Sequence, residues 1–308
     1  MSDDGGVTAP PLPAGLTSRP LTPADLDATF AVYADAELAD CGELMLEPED
    51  IESDWERASF DLSTQSVGVF DGERLAGAAE VFGARRADGA VHTAYGNRGI
   101  GSWLAAWTED LARREGGSLV GQSRFAGGGG DRLLRGRGYR EIWTSWVLEV
   151  PAATPIEPQS LPPGYELRTF VPGRDEDIAY RLIEDAFNEW PDRTPQTYAD
   201  WQPRILGRRG FEPWQVRFAV DGDRTPVAVA CTILDVADCA HVDQIAVRAD
   251  RRGLGLARAL LVDAFENGRV RGAIRSDLST DSRTGALGLY LRVGMTITQT
   301  WHHLGLDL

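Results

Sequence analysis

The same succession of short motifs occurs twice along this chain, and that repetition restricts the fold more than any other feature. Each half opens with a short strand and a helix, continues with an Asp-Gly turn between apolar strands, and then has a glycine turn before a helix-forming run. The Asp-Gly turns are at 71–72 and 221–222, the glycine turns at 98–101 and 252–257, and closing pairs of glycine and a large residue at 138–139 and 294–295. Asp-Gly between apolar runs predicts a β-hairpin, and internal self-similarity predicts a duplicated domain. We therefore expect an α/β protein that contains two tandem domains. Each domain should have an α+β fold with a mixed sheet.

A proline-rich segment separates the two copies. Residues 151–163 read PAATPIEPQSLPP, and prolines at this density continue neither a helix nor a central strand. The 308 residues also suffice for two ordinary domains. We expect a disordered lead-in over 1–14, a first domain over 15–150, a linker over 151–163 and a second domain over 164–308.

The charge balance restricts the partners. The formal net charge of −16 argues against nucleic acid, whose partners need basic surfaces. A negative field would concentrate a cationic substrate such as an amine, although it can also serve solubility alone. No apolar run approaches the roughly 20 residues of a membrane span, and the start of the chain lacks the pattern of a signal peptide. We expect a cytoplasmic protein with no membrane partner, either a monomer or a homodimer.

Cysteine and lysine usage restricts the chemistry further. Cys41, Cys231 and Cys239 have neither CxxC spacing nor a nearby histidine cluster, so the sequence predicts no disulfide framework and no metal site. The chain contains no lysine, which excludes the Gly-Lys-Ser/Thr of a P-loop.

The second glycine turn is the strongest single indication of a ligand. An apolar strand ends at Val247, and the turn at 252–257 opens a helix whose apolar residues have core spacing. The first N–H groups of a helix lack intrahelical acceptors and carry the positive end of the dipole, so a phosphate group is a natural ligand. A Rossmann turn would require a third glycine where Arg258 stands, so the turn is not of that kind.

These motifs together resemble the GCN5-related N-acetyltransferase (GNAT) family, in a tandem two-domain arrangement. The turn follows the family pattern Arg/Gln-x-x-Gly-x-Gly/Ala, and Ser282–Tyr290 followed by Gly294 is similar to its later signature, with Ser in place of Asn. The resemblance implies two tandem GNAT folds and acetyl-CoA as cosubstrate. The implied cofactor-binding residues are Ile245, Ala246, Val247, Arg252, Gly253, Leu254, Gly255, Leu256, Ala257, Ser282 and Ala286. The backbones of the first three would bind the pantetheine arm and the acyl carbonyl, and the glycine turn would bind the pyrophosphate.

The resemblance also implies the catalytic residues. Tyr290 occupies the position of the general acid that protonates the leaving thiolate. Family bases are often acidic residues on the preceding strand, so Asp243 is the first candidate base. Asp235 and His241 are nearby alternatives.

The first half departs from the family pattern. Gly96 stands where Arg is expected, Leu134 lies opposite Tyr290, and four glycines at 127–130 replace the Ser282 region. We expect this half to be non-catalytic. Two interpretations stay open: it binds a second CoA through Arg98, Gly99, Ile100 and Gly101, or it only supports the second half.

The function expected is transfer of acetyl from acetyl-CoA to the amine of a small molecule, by direct attack without a covalent enzyme intermediate. The acidic surface favours a cationic acceptor such as an antibiotic, a polyamine or an amino-sugar. The alternatives are a protein amine, the amine precursor of mycothiol and, from another class, a CoA-binding regulator without turnover. Trp190, Trp201 and Trp214 lie in the segment that covers the acceptor site in the family, so some are candidates to line it.

Overall fold

The computed structural model describes residues 11–190, 193, 195–234 and 238–308. Most of the expected lead-in, residues 1–10, lies outside this range, as does Asp235. The chain forms two compact units, one running to Thr144 and including Thr300–Leu308, the other comprising Ser145–Gln299. The described part contains no helix that is both long and apolar enough to cross a membrane.

The first half of the sequence alternates strands with helices. The strands are β1 (Thr17–Arg19), β2 (Ser66–Asp71), β3 (Arg74–Phe82), β4 (Arg86–Val91), β5 (Leu119–Phe125) and β6 (Arg140–Pro151). The helices are α1 (Leu26–Cys41), α2 (Pro48–Trp55), α3 (Leu62–Gln65), α4 (Ile100–Arg114) and α5 (Gly129–Gly136).

Elements from the second half follow the same order. The strands are β7 (Glu166–Thr169), β8 (Val216–Val220), β9 (Pro226–Leu234), β10 (Cys239–Val247), β11 (Arg275–Asp281) and β12 (Thr296–Asp307). The helices are α6 (Glu176–Phe187), α7 (Tyr198–Ile205), α8 (Leu256–Val270) and α9 (Leu287–Val293).

Each unit has a mixed sheet with one parallel pair of strands. In the first unit the order is β1-β2-β3-β4-β5-β12, and β4 is parallel to β5. In the second unit the order is β7-β8-β9-β10-β11-β6, and β10 is parallel to β11. The other neighbouring strands in each order are antiparallel. The predicted hairpins at 71–72 and 221–222 are confirmed.

The sixth strand of each sheet is drawn from the opposite half of the sequence. Trp301–Asp307 of β12 pairs with β5 in the first unit, and Ser145–Pro151 of β6 pairs with β11 in the second. The division between the units therefore falls after Thr144, within β6, whereas we expected it in the 151–163 segment. That segment has no helix or strand after Pro151 and belongs to the second unit.

The core of the second unit positions its two functional helices. One face of α8 packs with residues of α9 and β10 in a single apolar cluster that includes Phe265, Tyr290 and Val242. Helix α9 ends at Gly294, whose φ of 100° is the left-handed conformation that terminates helices and favours glycine. The following Met295 is buried in the same cluster. The pairing of glycine with a large residue thus stops the helix and anchors the start of β12.

Candidate active site

Strand β10 carries a β-bulge at Asp243. Its register with β9 shifts between Val242 and Gln244, so Asp243 is the extra residue. Val242 packs into the core against α8, whereas Asp243 contacts Arg204 and Gln244 accepts a hydrogen bond from Trp201 Nε1 at 2.8 Å. Both partners lie on α7. The bulge therefore directs two consecutive polar side chains to the α7 side of the sheet.

Strand β10 also separates from its parallel neighbour. The ladder between β10 and β11 comprises three pairs, from Cys239–Arg275 to His241–Asp277, although β10 continues to Val247 and β11 to Asp281. The separation opens the sheet beside residues 245–247, whose backbone is the predicted binding surface for the pantetheine arm. An extended arm carrying amide groups could pair there as an added strand does.

The glycine turn forms the N-terminus of α8. Gly253 and Gly255 both have left-handed conformations, with φ of 77° and 83°, which glycine adopts without steric cost. Gly255 is the N-cap, and Ala259 N donates to its carbonyl at 3.0 Å. The N–H groups of residues 256–258, which come before Ala259, have no intrahelical acceptor and point out of the helix end. Leu254 is exposed, and Ala257 lies in the first turn.

The geometry of this turn fits a pyrophosphate. A Cβ built on Gly253 would meet nothing within 4 Å, so protein atoms do not obstruct that side of the turn. An α8 of 15 residues supplies a full helix dipole at the site. The residues present therefore suit the phosphates of acetyl-CoA.

Arg252, the first residue of the motif, already has an acidic partner. Its guanidinium makes a bidentate pair with Glu189, at 2.6 and 2.9 Å, while its Nε donates to Val247 O at 3.1 Å. Both side chains of the pair are about half exposed, so the pair is weak enough to be exchanged for a phosphate.

Tyr290 lies on α9 with only 6% of its surface exposed. Burial raises the pKa of this phenol, and a hydrogen bond with Thr280 opposes the rise. The phenol is therefore protonated throughout the neutral range, which a general acid requires.

The two neighbouring signature residues lie where α9 begins. Ala286 is the N-cap of α9, and its N–H donates to Thr284 Oγ1 at 3.1 Å. Ser282 lies in the turn between β11 and α9. Ser282 is not the N-cap of this helix, because Ala286 holds that position.

Asp243 has a strong basic partner and is a weak base. Burial would raise its pKa, but the charges of Arg204 and His241 outweigh burial and hold the pKa below its usual value. Arg204 Nη2 lies 2.8 Å from Asp243 Oδ1. Within the described part of the chain Oδ2 is buried without a hydrogen-bond partner.

His241 and Asp277 form a second polar pair next to Asp243. His241 Nδ1 lies 2.8 Å from the buried Asp277 Oδ1, on adjacent parallel strands. Burial would lower the pKa of His241, but the hydrogen bond and charge of Asp277 outweigh burial and raise it. The sequence placed His241 near the site but gave no sign of Asp277, which lies 36 residues away.

Known proteins share both the sequence and the fold of this site. Residues 176–295 match the Acetyltransferase (GNAT) family. Over 245 residues the chain is 31% identical to a mycothiol acetyltransferase of Thermobispora bispora, which covers 74% of this chain and 79% of that protein. The chain belongs to the GNAT family of acetyltransferases. It is therefore an acyltransferase that uses acetyl-CoA.

Other relatives agree with this assignment. A mycothiol acetyltransferase of Pseudarthrobacter chlorophenolicus is 29% identical over 67% of this chain, which corresponds to 65% of that protein's length. The solved GCN5-related N-acetyltransferase from Sphaerobacter thermophilus aligns with a TM-score of 0.78 and 29% identity, covering 96% of this chain and 97% of that one. A tandem GNAT protein from the clavulanic acid biosynthesis pathway has a TM-score of 0.72 at 16% identity, which is a likeness of fold alone. The tandem GNAT fold expected from the sequence is confirmed.

The predicted tryptophans have different environments in this GNAT protein. Trp201 is fully buried and Trp214 nearly so, with Arg271 stacked over the Trp214 ring. Trp190 is partly exposed and stacks on Phe187 with ring centroids 4.7 Å apart. Of the three, Trp190 alone has a surface available for an acceptor.

The first unit repeats the glycine turn, but a leucine stands in the position that corresponds to Tyr290. Gly99 caps α4 with a φ of 86°, as Gly255 caps α8. Arg98 lies over the ring of Tyr95, 5.1 Å from its centroid. Leu134 is buried in the apolar core on α5, the counterpart of α9.

Proposed function

We propose that the second unit transfers the acetyl group of acetyl-CoA to the amine of a small cationic molecule, by direct attack on the thioester. The observation that carries this proposal is the opening between β10 and β11 directly before the glycine turn of α8. This arrangement provides an edge of backbone for an extended arm and a helix N-terminus for phosphates. The net charge of −16 favours a cationic acceptor.

The chain's own groups would divide the work as follows. The N–H groups at the start of α8 hold the pyrophosphate, and the backbone of residues 245–247 aligns the arm. Tyr290 donates its proton to the sulfur as the carbon–sulfur bond breaks. This role agrees with a pKa raised by burial, because the phenol is then fully protonated at the pH of the reaction.

Asp243 would attract and orient the amine rather than take its proton alone. A carboxylate whose pKa is lowered stays ionised but accepts a proton poorly. His241, with a raised pKa and its Nδ1 held by Asp277, is the better acceptor for the proton lost by the amine. We therefore keep both residues as candidates for the base.

A second candidate acceptor is that of the mycothiol acetyltransferases, because one of these proteins is 31% identical to this chain. Both candidates suit a protein of the cytoplasm, where the three cysteine thiols would stay reduced.

The test is release of free thiol from acetyl-CoA over a panel of small amines that includes the amine precursor of mycothiol. Tyr290→Phe should lower kcat by about 100-fold on the best acceptor, the lower end of the usual effect of a general acid. Tyr139→Phe is the matched control, because Tyr139 is similarly buried but lies in the first unit. Full kcat in Tyr290→Phe would exclude the acid role, and bound acetyl-CoA without turnover on any amine would favour a CoA-binding regulator.

A further inference from the structure

The first unit contains a cavity that the proposed reaction does not use. Its volume is about 760 Å³, and its walls come from α1, α2, α4, α5 and the strands β3, β4 and β5. The glycine turn at 96–101 lines one part of it. Apolar walls include Leu46, Ile51, Phe125 and Trp301. A cavity of this size is typical of a small-molecule site.

The charged residues that line this cavity are nearly all acidic. The six carboxylates are Glu37, Asp40, Asp50, Asp54, Glu80 and Asp88, and the one lining arginine is Arg124. Arg86 bridges two of them, with 2.6 Å to Asp54 and 2.9 Å to Asp88. An apolar cavity bordered by excess negative charge disfavours an anion and favours an organic cation.

Glu80 is the central group of this acidic lining. It is 95% buried on β3, with a relative exposure of 5%, and it lies directly opposite Asp88 of β4 in the ladder. Trp55 Nε1 donates to its Oε1 at 2.7 Å. In the part of the chain that the structure describes, no cation pairs with Glu80, and the Oη of Tyr33, also in the lining, is buried without a partner. A buried carboxylate without a counter-ion and a buried hydroxyl without a hydrogen-bond partner are costly unless a ligand satisfies them.

We propose that this cavity binds an aliphatic amine with ammonium groups at both ends, one beside Glu80 and Tyr33 and the other toward Glu37 and Asp40 of α1. The acids lie on separate elements, since Asp40 is next to Gly128 at the start of α5, whereas Glu80 contacts α2. The apolar walls suit the methylene chain between the charges. The site binds without transferring acetyl, because Leu134 takes the place of the acid. It goes beyond the proposed function, which concerns the second unit alone.

Calorimetric titration of the full chain with 1,8-diaminooctane at pH 8, without acetyl-CoA, tests this site. The expected result is saturable binding to the wild type and no binding of 1,8-octanediol, which has the same length and no charge. Glu80→Gln should lower the affinity for the diamine at least tenfold, while the glutamine keeps an acceptor for Trp55 Nε1. Glu73→Gln is the matched control, since Glu73 is exposed in the β2–β3 turn and does not line the cavity.

Three results would overturn the proposal: no saturable binding of the diamine, equal binding of the diol, or unchanged affinity in Glu80→Gln. Asp243→Asn distinguishes binding in the first unit from binding in the second. A loss of diamine affinity in this variant would place the cation in the second unit instead. None of these readouts depends on turnover, so failure of the proposed reaction leaves them interpretable.

The pH dependence gives a test on the wild type alone. Burial raises the pKa of Glu80 to about 7, with smaller contributions from Asp88 and Asp54 opposed by Trp55 and Arg86. The other charged or titratable groups of the lining are Tyr33, Glu37, Asp40, Asp50, Tyr95 and Arg124. Diamine affinity should rise by about tenfold from pH 6 to pH 8 as Glu80 ionises, since aliphatic ammonium groups stay charged over this range. Affinity that is flat over this range would contradict an ammonium beside Glu80.

Discussion

Two buried carboxylates, Glu80 in the first unit and Asp243 in the second, respond oppositely to their surroundings. Burial and the acidic neighbours of Glu80 raise its pKa to about 7, whereas Arg204 and His241 hold the pKa of Asp243 below its usual value. The difference follows from the presence of a cation in contact with one and not the other. Each carboxylate therefore makes the free energy of unfolding depend on pH, and the two dependences have opposite signs.

Glu80→Gln should stabilise the protein at neutral and alkaline pH. The ordinary pKa of 4.5 is raised to about 7 on folding, so the native state binds more protons between these values and stability falls as pH rises through them. The full penalty is about 3 kcal/mol above pH 7, and it is absent below pH 4.5. Thermal unfolding measured from pH 4.5 to pH 8 should show that the stability of the variant relative to the wild type increases as pH rises. A gain that is constant with pH would contradict the raised pKa.

Arg204→Gln should have the opposite pH dependence. The pair with Arg204 contributes stability above the ordinary pKa of Asp243, 3.8, and this contribution disappears as pH falls through the lowered folded value. Removing the cation leaves a buried carboxylate unpaired, at a cost of about 1–3 kcal/mol at pH 7. Urea unfolding at pH 7 and pH 3 measures the difference, which should shrink at pH 3. Arg209→Gln, an exposed position on the same segment, should change neither value.

The sequence indicates which residues carry a family signature, but it does not indicate the contacts that tertiary neighbours make with them. Tyr290 was placed by its spacing from Ala286 and Gly294, and the structure puts it in the core beside β11. The partners of Asp243 and His241 are 39 and 36 residues away, so no local pattern indicated them. Glu80 gave no sequence signal either, because one acidic residue in an apolar strand does not reveal what faces it.

Helix α8 and its turn were the most predictable elements. The strand, the glycines and the apolar spacing of the helix all gave the same prediction, and the structure starts α8 at Leu256 directly after Gly255. The bulge at Asp243 and the early end of the β10–β11 ladder could not be predicted, because both depend on pairing between strands. These unpredicted features create the opening on which the proposed site depends.

Gly255→Ala should combine a loss of stability with a loss of acetyl-CoA binding. A non-glycine residue at a φ of 83° costs about 1–2 kcal/mol, and the added Cβ would hinder close approach of phosphate to the N-terminus of α8. Gly272→Ala is the matched control, because Gly272 has a φ of 95° at the other end of this helix. Both variants should lose similar stability in thermal unfolding. Only Gly255→Ala should lower the affinity for acetyl-CoA, by at least about tenfold in calorimetric titration.

On the scale of the whole molecule, the repeat predicted two similar units but not how the chain divides between them. Motif order is a local property, and it was sufficient for the tandem fold. The sheet that the final strand joins could not be predicted in this way. The pattern of an amphipathic strand does not specify which of two similar sheets it completes. Thr300–Leu308 belongs to the first unit and Ser145–Pro151 to the second, which the proline-rich segment at 151–163 did not indicate.

This division predicts that the first unit needs the last nine residues to fold. Trp301–Asp307 pairs with β5, and Leu304 is fully buried in the same apolar cluster as Val120 and Leu134. A fragment of residues 1–144 should therefore lack a cooperative thermal transition in circular dichroism. The same fragment joined to residues 300–308 through a flexible Gly/Ser linker should regain one. Leu304→Asp in the joined fragment is the control, since a buried charge there should abolish the transition again. Cooperative unfolding of residues 1–144 alone, at the temperature of the joined fragment, would show that the C-terminal strand is dispensable for this unit.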